Sequence, residues 1–269
     1  MKKYLFLIIL SIANVLISYA QEKAFLKVNY NFEHLRDTVS GFRYKEEMGL
    51  LVGKTVSSYY SQRKLTQDSV KRKAYEQADQ NGGYVNLGVI LPTTMECYFI
   101  FHSDKKLLIA TPFQRDLYLI NEPLETIKWS INSRTKNIKG FLCQQAVGSF
   151  KGRLYTVWFT SELPTNAGPW KLNGLPGLIL EAADSKNEVS FIVKSIQKTP
   201  GQNIIIPTNG IKTNLKDFNK MTQAYSNGGI NPNSTLANSD IKINGQNLSG
   251  SSSKKSNTSG INNPMEKSN

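Results

Sequence analysis

Apolar and polar positions alternate along most of the chain with the period of two expected of half-buried β-strands. From 23 to 36, Leu26, Val28, Tyr30 and Phe32 alternate with Lys27, Asn29 and Asn31, which predicts a strand. Residues 48–61 read as a hairpin, with Gly53-Lys54 at the turn and Val56, Tyr59 and Tyr60 in the return strand. The character changes between Thr66 and Asp79. Ser69 to Ala78 is rich in helix formers and free of Gly and Pro, and Asn81-Gly82-Gly83 follows as a stop, so a helix is predicted there. Further strands are predicted near 95–102, 106–111, 116–121, 126–131, 138–149 and 153–160. Short polar separators divide them, Ser103-Asp104-Lys105, Ser133 to Lys136 and Lys151-Gly152. Two more strands near 177–183 and 188–197 flank the turn Asp184-Ser185-Lys186-Asn187. The apolar run Ile204-Ile205-Ile206 ends at Pro207, and residues 213–225 fit a last helix. Connections this short favour antiparallel neighbours over crossovers. The expected fold is mainly β: a curved antiparallel sheet or half-barrel of eight to ten strands with one or two helices against it.

The two ends follow other rules. Lys2 and Lys3 precede a mostly apolar run from Tyr4 to Ile17, and Ser18-Tyr19-Ala20 supplies small residues before Gln21. This layout predicts a secretory signal over 1–20, cleaved between Ala20 and Gln21. The run is shorter than the roughly 20 residues of a membrane span, and no Cys follows it as a lipid-bearing signal would require. From Ser226 the chain turns to Asn, Ser, Gly and Lys without Phe, Trp or Tyr. Such a segment buries too little apolar surface to offset its ordering entropy. The predicted organisation is therefore a signal over 1–20, one β-rich domain over 21–225 and a low-complexity, mostly disordered tail over 226–269.

Charge adds an expectation about partners. Of 33 basic residues two fall in the signal, leaving 31 against 20 acidic, or +11. The basic residues are scattered, and export removes nucleic acid as a partner. An anionic or apolar ligand of the envelope, or an outer-membrane protein, fits better. Candidate chemistry is sparse. The two histidines, His34 and His102, lie far apart without a second ligand at metal spacing. His102-Ser103-Asp104 is no triad, because neighbours on a strand point to opposite faces. Glu46-Glu47 and Glu162 are isolated in sequence, and no glycine loop that cradles phosphate precedes a helix. Nothing calls for a cofactor. Cys97 and Cys143, the only cysteines, fit either a disulfide of an oxidising compartment or two buried apolar thiols.

The densest signal spans 140–179. Gly140-Phe141-Leu142-Cys143-Gln144-Gln145-Ala146 leads to Phe150-Lys151-Gly152-Arg153. Tyr155 to Pro164, containing Trp158, follows, then Gly168-Pro169-Trp170 and Gly174-Leu175-Pro176-Gly177-Leu178-Ile179. In this order the segments resemble the GLPGLI family, with its Cys–Ala strand, its aromatic strand ending in Pro, its Gly-Pro-aromatic turn and its hexapeptide. The hairpin with Gly53-Lys54, Ser57 and Tyr60 resembles the family's N-terminal region, and Asn262-Asn263-Pro264-Met265-Glu266 resembles its Asn-Pro-Ile-Glu ending. The resemblance implies a secreted protein of a Gram-negative bacterium, at the periplasm or outer-membrane periphery, often encoded near TonB-dependent transporters. It brings no catalytic residues.

Physically, Pro fixes φ and lacks a donor while Gly permits positive φ or close approach, so both punctuated turns read as rigid. They are either exacting strand entrances or preformed loops that present Leu175 and Trp170. The candidate binding residues are Trp158, Pro164, Gly168, Pro169, Trp170, Gly174, Leu175, Pro176 and Gly177. The expected function is a non-enzymatic binding or accessory protein that assists an outer-membrane transporter or carries an apolar or peptide ligand. The alternative is a hydrolase or peptidase with a dispersed site. The ending at 262–266 is either an uninformative terminus or a segment that docks, onto the domain or onto a partner.

Overall fold

The computed structural model describes residues 21–81, 85, 87–198, 201–226 and 262–267. The predicted signal with its cleavage site, and most of the low-complexity tail, lie outside the described residues.

The strands are β1 (Gln21–Lys23), β2 (Leu26–Asp37), β3 (Phe42–Val52), β4 (Val56–Ser61), β5 (Cys97–Phe101), β6 (Lys106–Phe113) and β7 (Asp116–Pro123). They continue as β8 (Ser130–Ile138), β9 (Phe141–Phe150), β10 (Arg153–Thr160), β11 (Leu178–Asp184), β12 (Val189–Gln197), β13 (Asn203–Ile205) and β14 (Ile211–Thr213). Two helices are described, α1 (Gln62–Asn81) and α2 (Leu215–Ser226). Twelve strands form one open sheet in the order β14-β7-β6-β5-β4-β3-β2-β12-β11-β10-β9-β8, and β1 pairs with β13 as a separate ribbon. The fold is mainly β, as expected, with more strands than the eight to ten predicted. It departs from an all-antiparallel sheet at one place, the parallel pairing of β14 with β7.

Local chemistry accounts for the shifted boundaries. The strand predicted at 126–131 is instead β8, which runs through the polar residues read as a separator. The β8–β9 turn is Lys139-Gly140, with φ of 54° and 88°, and the β9–β10 turn repeats it as Lys151-Gly152, at 49° and 68°. Positive φ at both central residues matches the right-handed twist of a hairpin. Helix α1 starts earlier than predicted because the hydroxyl of Ser61 accepts the backbone N–H of Lys64 at 2.8 Å and caps it.

One face of the sheet carries the main core. Tyr30, Phe32, Met48, Leu50, Tyr59, Tyr155, Val157, Leu180 and Phe191 are buried together there. The sheet must curl for this to happen. Tyr59 on β4 and Phe191 on β12 are three strands apart, about 14 Å on a flat sheet, yet their rings lie 6.3 Å apart. The opposite face of β3 to β7 is covered by the β1–β13 ribbon, which buries Leu51, Phe99, Leu108 and Ile204.

Cys97 and Cys143 are both free. They sit on β5 and β9 with β4, β3, β2, β12, β11 and β10 between them. Cys97 also packs with the cluster under the ribbon and Cys143 with the main core. Of the two alternatives the sequence left open, a disulfide or two separate thiols, the structure has the second: the two thiols belong to different faces and distant strands.

Candidate functional site

The loop from Leu163 to Gly177 folds inward and fills part of the concave face. Leu172 and Leu175 are 0% and 1% exposed. The loop closes on itself through Leu172 N–H to Pro169 O and Gly174 N–H to Asn166 O, both 3.1 Å, and the indole of Trp129 donates to Asn173 O at 2.8 Å. Its glycines work differently. Gly174 has a φ of 93° in an open turn, while a Cβ on Gly177 would collide with the Thr160 carbonyl, its carbon only 2.6 Å away. A Cβ on Gly168 would meet Leu172 O at 2.6 Å. Among the residues singled out from sequence, Gly168, Pro169, Leu175 and Gly177 are buried parts of this plug, so Leu175 is not presented to a ligand. Pro164, Gly174 and Pro176 are exposed on the loop's outer side. Trp158 faces the other side of the sheet, with the Lys136 ammonium 4.5 Å from its ring centre. Trp170 alone of the nine reaches the cavity described next, in a positive-φ conformation (57°) and against Phe150 at 5.6 Å.

That cavity, of about 460 Å³, lies within the curl of the sheet. Its walls are five aromatic side chains, Phe32, Tyr59, Tyr98, Trp170 and Phe191, together with Met48. Glu46 shapes one edge. Its carboxylate accepts the N–H and hydroxyl of Thr94 at 2.9 and 2.6 Å, which pins the segment before β5 over the cavity. Two donors of lining residues, the Tyr59 hydroxyl and Arg36 Nε, are buried without a hydrogen-bond partner among the described residues. Buried donors without partners are costly and rare. Both belong to residues that line the cavity.

Residues 262–267 build the remaining wall. Pro264 and Met265 line the cavity, and the segment lies against the sheet rim as a docked peptide. Arg153 holds it, with Nη2 donating to Asn263 Oδ1 and Pro264 O, both at 2.7 Å, and Nε donating to Met265 O at 3.0 Å. His34 Nε2 donates to Asn263 O at 2.7 Å, and Asn263 Nδ2 donates to Leu35 O at 2.6 Å. The same guanidinium pairs with Asp184 at 2.6 Å and Glu188 at 2.8 Å, and its side chain is only 1% exposed. Lys171 and Lys267 add ion pairs to Glu266 and Glu188. The sequence left the ending open between docking and a bland terminus; in the structure it docks onto the domain.

Burial holds the imidazole of His34 neutral and pushes its pKa down to about 4, a shift the nearby Arg153 and Arg36 charges deepen and the Asn263 bond opposes. Burial alone would raise the Glu188 carboxyl, but hydrogen bonds from Arg153 and Lys267 outweigh it and hold the pKa at about 2. Both groups bind protons less readily folded than unfolded, so both lose stability as pH falls. His34 acts between its ordinary 6.5 and about 4, and Glu188 between 4.5 and about 2. The melting temperature is expected to be level above pH 7 and to fall steadily from pH 6.5 to 4. His34→Gln, which keeps a donor for Asn263, should flatten that window. A wild-type profile without a slope there would refute the assignment.

Other chemistry lies elsewhere. His102 Nε2 and Ser57 Oγ are 3.1 Å apart, a pair that sequence spacing could not reveal across 45 residues. Ser57 is 2% exposed and neither residue lines the cavity, so the pair reads as a buried structural bond. Among the described residues no three His, Cys, Asp or Glu side chains converge as metal ligands.

Comparisons with known proteins bear on the fold and on the plug. The profile of a family described as a protein of unknown function (Porph_ging) matches residues 150–181, the stretch from the β9–β10 turn through the hexapeptide. No curated protein matches the sequence. Two solved structures, described as PNGF-II in C2 and in P21 space groups, are similar in fold. The first has a TM-score of 0.53 at 16% identity over 76% of this chain and 33% of that one. The second has 0.51 at 14% over 75% and 33%. The chain thus spans about a third of the length of those proteins.

Proposed function

We propose that this is an exported, non-enzymatic binding protein of the Gram-negative envelope, of the GLPGLI type, whose concave cavity takes an apolar, peptide-like ligand. The observation that carries the reading is the cavity itself. Its walls are aromatic, its orphan donors are Tyr59 Oη and Arg36 Nε, and a bent stretch of the protein's own chain, residues 262–267, already lies along its rim. Aromatic walls with a few aimed polar groups are the usual composition of a small-ligand site, and about 460 Å³ lies within the roughly 300–1,000 Å³ of such sites. The matched stretch at 150–181 supports the family assignment, since it contains the hexapeptide. Location at the periplasm or the outer-membrane periphery, and work beside a transporter there, follow from the predicted signal and the family resemblance.

The test is recovery of the protein from its native envelope and native mass spectrometry of what stays bound. A ligand with apolar groups and carbonyl or carboxylate oxygens is expected. Tyr59→Phe should reduce its occupancy about tenfold, the worth of one hydrogen bond to a buried donor, without lowering the melting temperature, because the hydroxyl has no partner in the fold. Equal occupancy in the variant, or no bound molecule in the wild type, would count against the reading.

A further inference from the structure

A second cavity lies back to back with the first, on the opposite face of β4 and β5. It measures about 440 Å³ and sits between the sheet, the β1–β13 ribbon and the start of α1. Tyr60, Cys97, Phe99, Ala110, Leu117 and Ile204 give it an apolar interior. At its mouth it shares Lys64, Asp68 and Met95 with another cavity, of about 420 Å³. That outer cavity runs along the α1 face formed by positions 64, 67, 68 and 71, residues that helical spacing brings together, and ends at Lys71. Lys64 pairs with Asp68, and the Glu96 carboxylate lies on the wall of the inner cavity, whereas Lys71 makes no ion pair among the described residues, so the positive charge of the groove is concentrated at its Lys71 end. Around the opening, Leu65, Leu91, Met95 and Ile205 are 54%, 51%, 44% and 68% exposed. A largely apolar end joined to an end that carries Lys71, with an apolar rim, has the polarity of an amphiphile.

We propose that this groove binds a single-chain anionic amphiphile, its acyl chain in the cavity under the ribbon and its carboxylate or phosphate head at Lys64 and Lys71. The charge at the outer end chooses an anionic head over a cationic or neutral one. The apolar interior supplies most of the affinity, and each added methylene tightens binding about threefold to fourfold until the cavity is full. Cys97 reports on occupancy. Its thiol is in the cavity wall 3.6 Å from Ser58 Oγ, and burial raises its pKa to about 11, whereas Cys143 is fully buried in the other core.

The full chain, titrated with dodecanoate below its micelle concentration, tests the proposal through the rate of Cys97 alkylation at alkaline pH. Saturating dodecanoate is expected to slow alkylation at least tenfold, with apparent affinity rising along the series octanoate, decanoate, dodecanoate. The double variant Lys64→Ala/Lys71→Ala should lose about tenfold in affinity for dodecanoate and nothing for dodecanol. Tyr59→Phe, which alters only the concave cavity, should change neither. An alkylation rate indifferent to dodecanoate, or an affinity indifferent to chain length, overturns the acyl site. Equal dodecanoate affinity in the double variant overturns the role of the basic end. A lysophospholipid arm separates lipid from free fatty acid as the source of the chain: tighter binding than dodecanoate assigns the head to a phosphate.

Discussion

Gly177→Val is expected to cost at least about 3 kcal/mol of stability, at the upper end of what overpacking a core does. Gly177 is the fourth residue of the hexapeptide, and it sits against the Thr160 carbonyl just before β11 begins. An added Cβ meets Thr160 O, then Thr160 C at 2.6 Å and Ser161 N at 2.9 Å. All three are backbone atoms, so no rotamer change relieves the clash. Either β10 and β11 separate at this point or the plug lifts from the concave face. Gly174 supplies the control. Its φ of 93° disfavours a side chain, but space around it is open, with Trp129 Nε1 no closer than 4.0 Å. Gly174→Ala should therefore cost only about 1 kcal/mol, the penalty of an alanine at positive φ. Denaturant titration of the two variants checks the contrast, and equal losses would show that close approach at Gly177 does not matter.

The second large effect concerns Arg153. One buried guanidinium satisfies two carboxylates and three acceptors of the C-terminal segment. Removing one member of a buried ion pair leaves an uncompensated charge and costs about 3–5 kcal/mol. Arg153→Ala leaves Asp184 and Glu188 facing each other and takes three bonds from residues 263–265. The loss should appear both as a lower melting temperature and as faster proteolysis after residue 261. Arg153→Lys should not restore it, since one ammonium cannot reproduce the planar fork of donors. A variant as stable and as protease-resistant as the wild type would show that the network contributes nothing.

The sheet was legible where its pattern is local. Leu26, Val28, Tyr30 and Phe32, picked out by alternation, are all buried in β2. The turn at Lys151-Gly152 stands out in the sequence, whereas the identical one at Lys139-Gly140 is masked by polar Ser133 to Lys136, which look like the separator. Ser61 ends the hairpin strand and also caps α1, since one residue can serve both elements. β14 has three residues, and its parallel partner lies about ninety positions earlier, so no local signal exists for it. The same limit governs the site. Phe32, Tyr59, Tyr98, Trp170 and Phe191 meet only because the sheet curls, and curvature leaves no periodicity in the chain. Trp170 was visible through its Gly-Pro-Trp turn. Arg153 was not, as a lone arginine has no spacing signature and its acceptors are 31 to 112 residues away. The ending Asn262 to Glu266 did carry a signal, and its docking is the part of the site that the sequence came nearest to revealing.

Recognition of a peptide-like chain by the concave face can be measured by titrating protein lacking residues 262–269 with a synthetic peptide of residues 261–267, with tryptophan fluorescence, to which Trp170 in the cavity wall contributes, as the readout and circular dichroism as the check on folding. Saturable binding that changes the emission and is abolished by Arg153→Ala is expected. A truncated protein that keeps its fold and shows no change in emission at saturating peptide would refute it.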